Sequence, residues 1–128
     1  MLTEKLDVGD YGARFENGYI PPVFFDRKST SDLFGTMGTG YKRFKKCIVR
    51  SQEAKVKLFV IVEGTLTDVL KGTKYSTING ATMVYTLFTL WVKHDVQTIF
   101  CKDREEMSKY ITQYFIAMGK HYIGGLKT

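Results

Sequence analysis

Two points in the sequence carry side chains that could act together on a phosphate ester. Asp10 follows a glycine near the start of the chain, and Asp26 and Lys28 stand two residues apart farther along. Residues i and i+2 of a strand share a face, so Asp26 and Lys28 should project together, and an adjacent strand end could bring Asp10 beside them. Two carboxylates suit Mg²⁺ or Mn²⁺, and Lys28 could orient or deprotonate a water on that cation.

The acid-x-Lys triplet alone does not identify a site, because surface salt-bridge clusters often have the same composition. Glu63, which ends an apolar segment, is a further candidate metal ligand. The alternative for Glu63 is a surface acid that caps Gly64 or a following helix. More of the chain is needed to decide between these interpretations.

Strands are expected around these residues. Residues 5–11 and 20–25 predict two strands of a hairpin, with the pair Asn17-Gly18 supplying positive φ at its tip. Gly9-Asp10 is expected to end the first strand and Asp26-Arg27-Lys28 the second. Residues 58–62 form an unbroken apolar run, which predicts a strand buried on both faces in a parallel or mixed sheet. Residues 96–101 predict another short strand.

Helices alternate with the later strands. Residues 29–32 supply caps before Leu33, and the glycine-rich stretch 35–40 interrupts that helix or links it to the next. Residues 41–52 predict an amphipathic helix with one basic side, and residues 79–92 an almost wholly apolar one. Residues 103–106 resemble a capping box that opens a closing helix. The order predicts an α/β sandwich in which residues 1–128 form one domain.

Composition restricts the class of protein. The chain is 44% apolar with nine Phe, eight Tyr and one Trp, so it can bury a core and is unlike a disordered protein. Two cysteines are too few for a disulfide framework. The first residues do not resemble a signal peptide, and the longest apolar run is far too short to cross a membrane, so we expect an intracellular protein.

The positive charge is localised. The net charge is +6, yet residues 27–57 hold nine basic residues against two acids, a net +7, and the remainder nets −1. Such a concentration is typical of a phosphate-binding face; a solvated helix face is the alternative.

Several of these features recur in order in one known family. Gly9-Asp10-Tyr11, the run 26–33, Arg43-Phe44 opening a helix and the apolar strand ending in Glu63-Gly64 resemble the nuclease domain of the XPF/Mus81/Hef structure-specific endonucleases. These belong to the restriction-endonuclease-like superfamily, PD-(D/E)XK. The family pattern is Gly-Asp-Tyr, then Glu-Arg-Lys-x-x-x-Asp-Leu, then Gly-Arg-[Leu/Phe]. The resemblance covers about residues 7–122 and implies a three-layer sandwich with a central mixed sheet flanked by helices.

The resemblance also implies residue roles. Asp10 and Asp26 would be ligands of Mg²⁺ or Mn²⁺, and Lys28 the water-positioning or general-base group. Arg27 and Asp32 would support the active site. The helix that Arg43 opens would contact DNA phosphates through Arg43 itself and through its basic side, which comprises Lys42, Lys46 and Arg50. The implied activity is endonucleolytic cleavage of duplex or branched DNA in repair or recombination, by a homodimer or heterodimer formed through the late apolar helices.

Two departures keep other hypotheses open. The family has Glu where this chain has Asp26, which is one methylene shorter, and no Asp-x-Arg-Glu strand precedes Gly9-Asp10-Tyr11. The second hypothesis is therefore a catalytically weak or inactive nuclease-fold subunit that binds DNA or a partner. A third is a protein-interaction module that uses the late apolar helices.

Overall fold

The apolar run at residues 58–62 forms an interior strand of a five-stranded sheet. The computed structural model describes residues 2–5, 10–14 and 18–123, with side chains for 12–14 and 18–121. The strands are β1 (Leu2–Lys5), β2 (Asp10–Arg14), β3 (Val23–Ser29), β4 (Lys57–Glu63) and β5 (Gln97–Cys101), and they lie side by side in that order. The helices are α1 (Thr30–Met37), α2 (Tyr41–Glu53), α3 (Leu66–Lys71), α4 (Gly80–His94) and α5 (Arg104–Met118), which a π-helical turn (Gly119–Ile123) follows.

The sheet is mixed. Strand β2 is antiparallel to both β1 and β3, whereas β4 is parallel to both β3 and β5. Parallel neighbours need a crossover connection, and here α1 and α2 connect β3 to β4, while α3 and α4 connect β4 to β5. The prediction of an α/β fold, with residues 58–62 as a strand of a parallel or mixed sheet, is confirmed.

The predicted antiparallel pair is present as β2 and β3, but its first strand is Asp10–Arg14 and not residues 5–11. Lys5 ends β1, and Asp10 begins β2 rather than ending a strand. The chain therefore places two strands before β3, and the alternating pattern of residues 5–11 does not mark where one strand stops and the next begins. Gly9 and Asn17 lie outside the described residues; of the predicted turn, only Gly18 is described, with a φ of +84°.

Alternation along β4 divides the core between the two faces of the sheet. Val60 and Val62 pack with α1, α2 and α4, whereas Phe59 and Ile61 pack with α5. Phe25 on β3 stacks on Phe59, with ring centroids 4.9 Å apart. Because both faces of β4 are covered by helices, its residues 58–62 are all buried, as its sequence predicts.

The helix predictions at residues 41–52 and 79–92 are confirmed as α2 and α4, and Asn79 caps α4 by accepting from the Thr82 amide. At α5, Asp103 accepts from the amide of Glu106, but the Glu106 carboxylate accepts from the Lys102 amide, so the predicted capping box closes one residue earlier. No helix among the described residues is long and apolar enough to span a membrane.

Helix α3 was not predicted. Its signal is the capping box of Thr65 and Asp68, in which each side chain accepts from the other residue's amide. The hydrogen bond from the Thr65 amide, followed by one from the Thr65 side chain, lowers the pKa of Asp68. Helix α4 begins against the end of α3, and a Cβ atom at Gly80 would collide with the backbone of Leu70. Glycine is therefore required for this close approach of α3 and α4.

Candidate functional site

The last residues of β3 bring an acid and a base together on one face of the sheet. Lys28 Nζ lies 3.3 Å from Asp26 Oδ1, and the two side chains are only 23% and 15% exposed. The predicted i, i+2 juxtaposition of Asp26 and Lys28 is therefore observed. Both side chains line the same cleft.

The strand register brings the second predicted acid to this point. Asp10, the first residue of β2, is directly opposite Asp26 of β3 in the antiparallel pair. Directly opposed positions of such a pair belong to the same face of a sheet. The expectation that an adjacent strand end brings Asp10 to Asp26 is thus met at the level of the backbone, while the side chain of Asp10 lies outside those that the structure describes.

The cleft lies between the end of β3 and helices α1 and α2, and its volume is about 820 Å³. Asp32, in the first turn of α1, is the other carboxylate that lines it. The basic side chains along it are those of Lys28, Lys42, Arg43 and Lys46. One side of the cleft therefore presents carboxylates, and the wall formed by α2 presents three cations.

The glycine-rich stretch at residues 35–40, which forms the end of α1 and the turn that links it to α2, belongs to this site. Gly35, Thr36, Thr39 and Gly40 line the cleft together with Ser31. The sequence indicated a joint near the active face, but it did not identify the hydroxyl groups of Ser31, Thr36 and Thr39 as lining residues. The feature of the sequence that could have identified them is their position between the Asp26-x-Lys28 triplet and the basic helix.

Arg50 does not line the cleft. It lies on the outer surface of α2, where it borders a shallow depression with Lys42, Lys45, Lys46 and Val49. The Arg50 guanidinium also donates to Cys47 Sγ at 3.4 Å. Lys42, Lys46 and Arg50, spaced four residues apart, form a stripe that leads from the cleft along the helix; we call these three residues the α2 stripe.

Arg27 and Glu63 lie on the other face of the sheet. Arg27 Nη2 donates to Glu63 Oε1 at 2.8 Å, and Arg104 Nε of α5 lies 3.6 Å from the same oxygen. The hydrogen bond from Arg27, followed by the positive charges of Arg27 and Arg104, lowers the pKa of Glu63. Asp26 is paired with Val60 of β4, and Val60 and Glu63 face opposite sides of the sheet because side chains alternate along a strand. The structure thus separates Glu63, the weaker candidate ligand, from Asp26. Arg27 likewise supports the site from behind rather than from within the cleft.

Among the side chains described, no three or more Asp, Glu, His or Cys residues are grouped closely enough to hold a metal ion. Within that part of the chain, Asp26 is the predicted ligand that faces the cleft. A carboxylate beside an ammonium, opposite a basic wall, can bind a cation and a phosphate side by side.

Comparison with known proteins identifies the family. A model of the ERCC4 domain matches residues 1–114, which include all five strands, the cleft and most of α5. A search of curated proteins found no match. The chain therefore belongs to the ERCC4 domain family, a family of nucleases of DNA repair and recombination, as the XPF-type order of its residues predicted.

Proposed function

We propose that this protein is a metal-dependent endonuclease that hydrolyses phosphodiester bonds in branched or otherwise structured DNA. The observation that carries the proposal is the Asp26–Lys28 pair, 3.3 Å apart in a cleft whose other wall is basic. The mixed sheet with helices against both faces supports a restriction-endonuclease-like three-layer sandwich as its scaffold. A DNA partner also implies an intracellular location.

Asp10 and Asp26 are the residues that would hold Mg²⁺ or Mn²⁺. They fit such a cation because carboxylate oxygens are its preferred ligands and because their backbone positions are directly opposite each other on β2 and β3. The partial burial of Asp26 strengthens its interaction with a cation. When bound, the cation would acidify a water molecule and neutralise negative charge on the phosphate.

Lys28 is the group we assign to the attacking water. Its Nζ stands beside the Asp26 carboxylate, which supports a role in orienting that water as an ammonium or in taking its proton as a neutral amine. Arg43 and Lys46 on the facing wall would hold the scissile strand by its phosphates. Asp32 borders the same cleft and would support the site there, while Arg27 holds the end of β3 from the opposite face.

The test is cleavage of labelled flap, fork and linear DNA with Mg²⁺, Mn²⁺ or EDTA. We expect metal-dependent cleavage by the native protein and a loss of at least about 100-fold in Asp26→Ala and Lys28→Ala. Glu105→Gln is the matched control, because Glu105 is an exposed acid that pairs with Lys109 on α5. Cleavage that survives both cleft substitutions would contradict the proposal.

One observation favours a second candidate function, a nuclease-fold subunit that binds DNA with little or no activity. Of the described carboxylates, Asp26 and Asp32 line the cleft, and Glu63 is held by two arginines on the other face. If this alternative holds, the protein binds DNA in a salt-dependent way but nicks no substrate with either metal. Metal-dependent turnover that Asp26→Ala abolishes would reject it.

We also propose that α4 mediates homodimer or heterodimer formation. Phe88, Trp91 and Val92 of this helix are 55%, 42% and 87% exposed, and the rings of Phe88 and Trp91 stack. Contiguous exposed apolar surface of this kind is typical of an interaction site. The predicted contribution of α5 has less support, because its buried residues Met107, Ile111 and Phe115 belong to the core.

A further inference from the structure

The loop between α3 and α4 presents an aromatic ring to solvent among basic residues. Residues 71–79 contain Lys71, Lys74 and Tyr75 and no acid. Tyr75 is 78% exposed, and Lys74 Nζ lies 5.2 Å from the centroid of its ring. An exposed aromatic ring offers a flat face on which a nucleobase can stack.

The loop holds this ring in a defined place. The Tyr75 amide donates to Thr73 Oγ1, the Ser76 amide to the Thr73 carbonyl and the Ile78 amide to Ser76 Oγ. Ile78 packs against the core cluster beneath α1 and α2. Tyr75 therefore stands on a hydrogen-bonded turn that Ile78 anchors to the core.

The anchor also sets the loop beside the cleft. A Cβ atom at Gly38 would lie 3.4 Å from Ile78 Cδ1, so the loop contacts the turn between α1 and α2. The next two residues of that turn, Thr39 and Gly40, line the cleft. The loop and the cleft therefore meet at this turn.

We propose that Tyr75 is a stacking site for an unpaired base of single-stranded DNA, with Lys74 and Lys71 meeting the adjacent phosphates. A cation over an aromatic ring, combined with an exposed ring surface, fits a nucleobase and its phosphate together. The inference rests on the proposed function only in taking DNA as the partner. It adds a base-contacting site outside the cleft, which would distinguish unpaired from paired segments.

The test is binding of fluorescent oligo-dT and of a duplex of equal length, in EDTA, so that cleavage plays no part. We expect Tyr75→Ala to weaken oligo-dT binding roughly tenfold or more and to leave duplex binding nearly unchanged. Tyr75→Phe should bind like the native protein, because the ring is retained. Tyr85→Ala is the matched control, since Tyr85 on α4 is 74% exposed.

Unchanged oligo-dT affinity in Tyr75→Ala would overturn the stacking site, as would an equal loss in Tyr75→Phe or in Tyr85→Ala. An equal loss for oligo-dT and duplex would also overturn it, because stacking requires an unpaired base. A different result would contradict the nuclease function alone. In that case oligo-dT binding would depend on Tyr75, but no substrate would be cleaved with Mg²⁺ or Mn²⁺.

Discussion

Consecutive residues of β3 serve the two faces of the sheet. Asp26 and Lys28 face the cleft, whereas Arg27 between them binds Glu63 of β4 and so ties the end of β3 to its neighbour. Arg27 is the neighbour in sequence of both cleft side chains. Arg104, at the start of α5, pairs with the same Glu63 carboxylate. Glu63 is therefore expected to stabilise the frame of the site.

Glu63→Gln should lower the free energy of unfolding by about 1 kcal/mol at pH 7, because it removes a charge-assisted hydrogen bond. The native pKa of Glu63 is lowered from its ordinary value of 4.5. The stabilisation by its ionised form is thus complete above pH 4.5 and is lost as pH falls through the lowered value. Urea unfolding of both proteins between pH 7 and pH 3 should show their difference shrink.

The control for Glu63→Gln is Glu105→Gln, whose exposed pair with Lys109 is expected to matter little. Each substitution removes one negative charge, so a difference between their effects reports the ion pair of Glu63 and not the change in net charge. A difference that grows as pH falls would contradict the ion-pair role. Loss of Mn²⁺ binding in Glu63→Gln would indicate that Glu63 is a metal ligand.

At the scale of elements, the sequence predicts those helices and strands whose residues carry a clear local pattern. The basic amphipathic pattern of α2, the apolar run of β4 and the Asp103 cap of α5 each locate their element. Strand β1 and helix α3 are only four and six residues long, too short for a period to show. The pairing of Asp26 with Lys28 follows from strand geometry, but the pairing of Arg27 with Glu63 depends on how β3 is aligned with β4, which no local pattern encodes.

Gly80→Ala tests the close approach of α3 and α4. A Cβ atom at Gly80 would collide with the Leu70 backbone, which cannot move away as a flexible side chain can. We expect unfolding to become easier by on the order of 2 kcal/mol or more, measured by thermal or urea denaturation. Gly35→Ala in α1 is the control, because nothing lies within 4 Å of its Cβ position; it should stabilise by about 0.5–1 kcal/mol. Equal effects of the two substitutions would contradict the packing argument.

The α2 stripe makes a prediction about salt. Replacing Lys42, Lys46 and Arg50 together by Ala should weaken DNA binding and reduce the slope of log affinity against log salt by roughly 2 to 3, because each phosphate contact releases condensed cations. Fluorescence anisotropy with duplex DNA at several salt concentrations measures this slope. Lys93→Ala, at the exposed end of α4, is the control and should leave the slope unchanged. An unchanged slope in the triple variant would place the DNA elsewhere.

At the scale of the molecule, the two proposed surfaces lie at different strands of the sheet. The cleft forms around β3 in the middle of the strand order, while β5 is the last strand and is flanked by α4. A small apolar groove of about 230 Å³ separates α3, α4 and β5. Thr98 Oγ1 at this groove is buried and has no hydrogen-bond partner among the described residues. Phe88, Trp91 and Val92 are not among the residues that line the cleft, so association through α4 would use a different surface.

Val92→Glu is the sharpest test of that association. Val92 is 87% exposed, so the substitution should not disturb the fold, but a carboxylate inside an apolar interface would be desolvated. We expect sedimentation equilibrium to show self-association of the native protein and at least a tenfold larger dissociation constant for the variant. Val49→Glu, at a half-exposed valine on α2, is the control. A native protein that stays monomeric at high concentration excludes the homodimer, and an equal effect of Val49→Glu excludes a specific α4 interface. A heterodimer would instead appear as a partner chain whose binding Val92→Glu weakens and Val49→Glu does not.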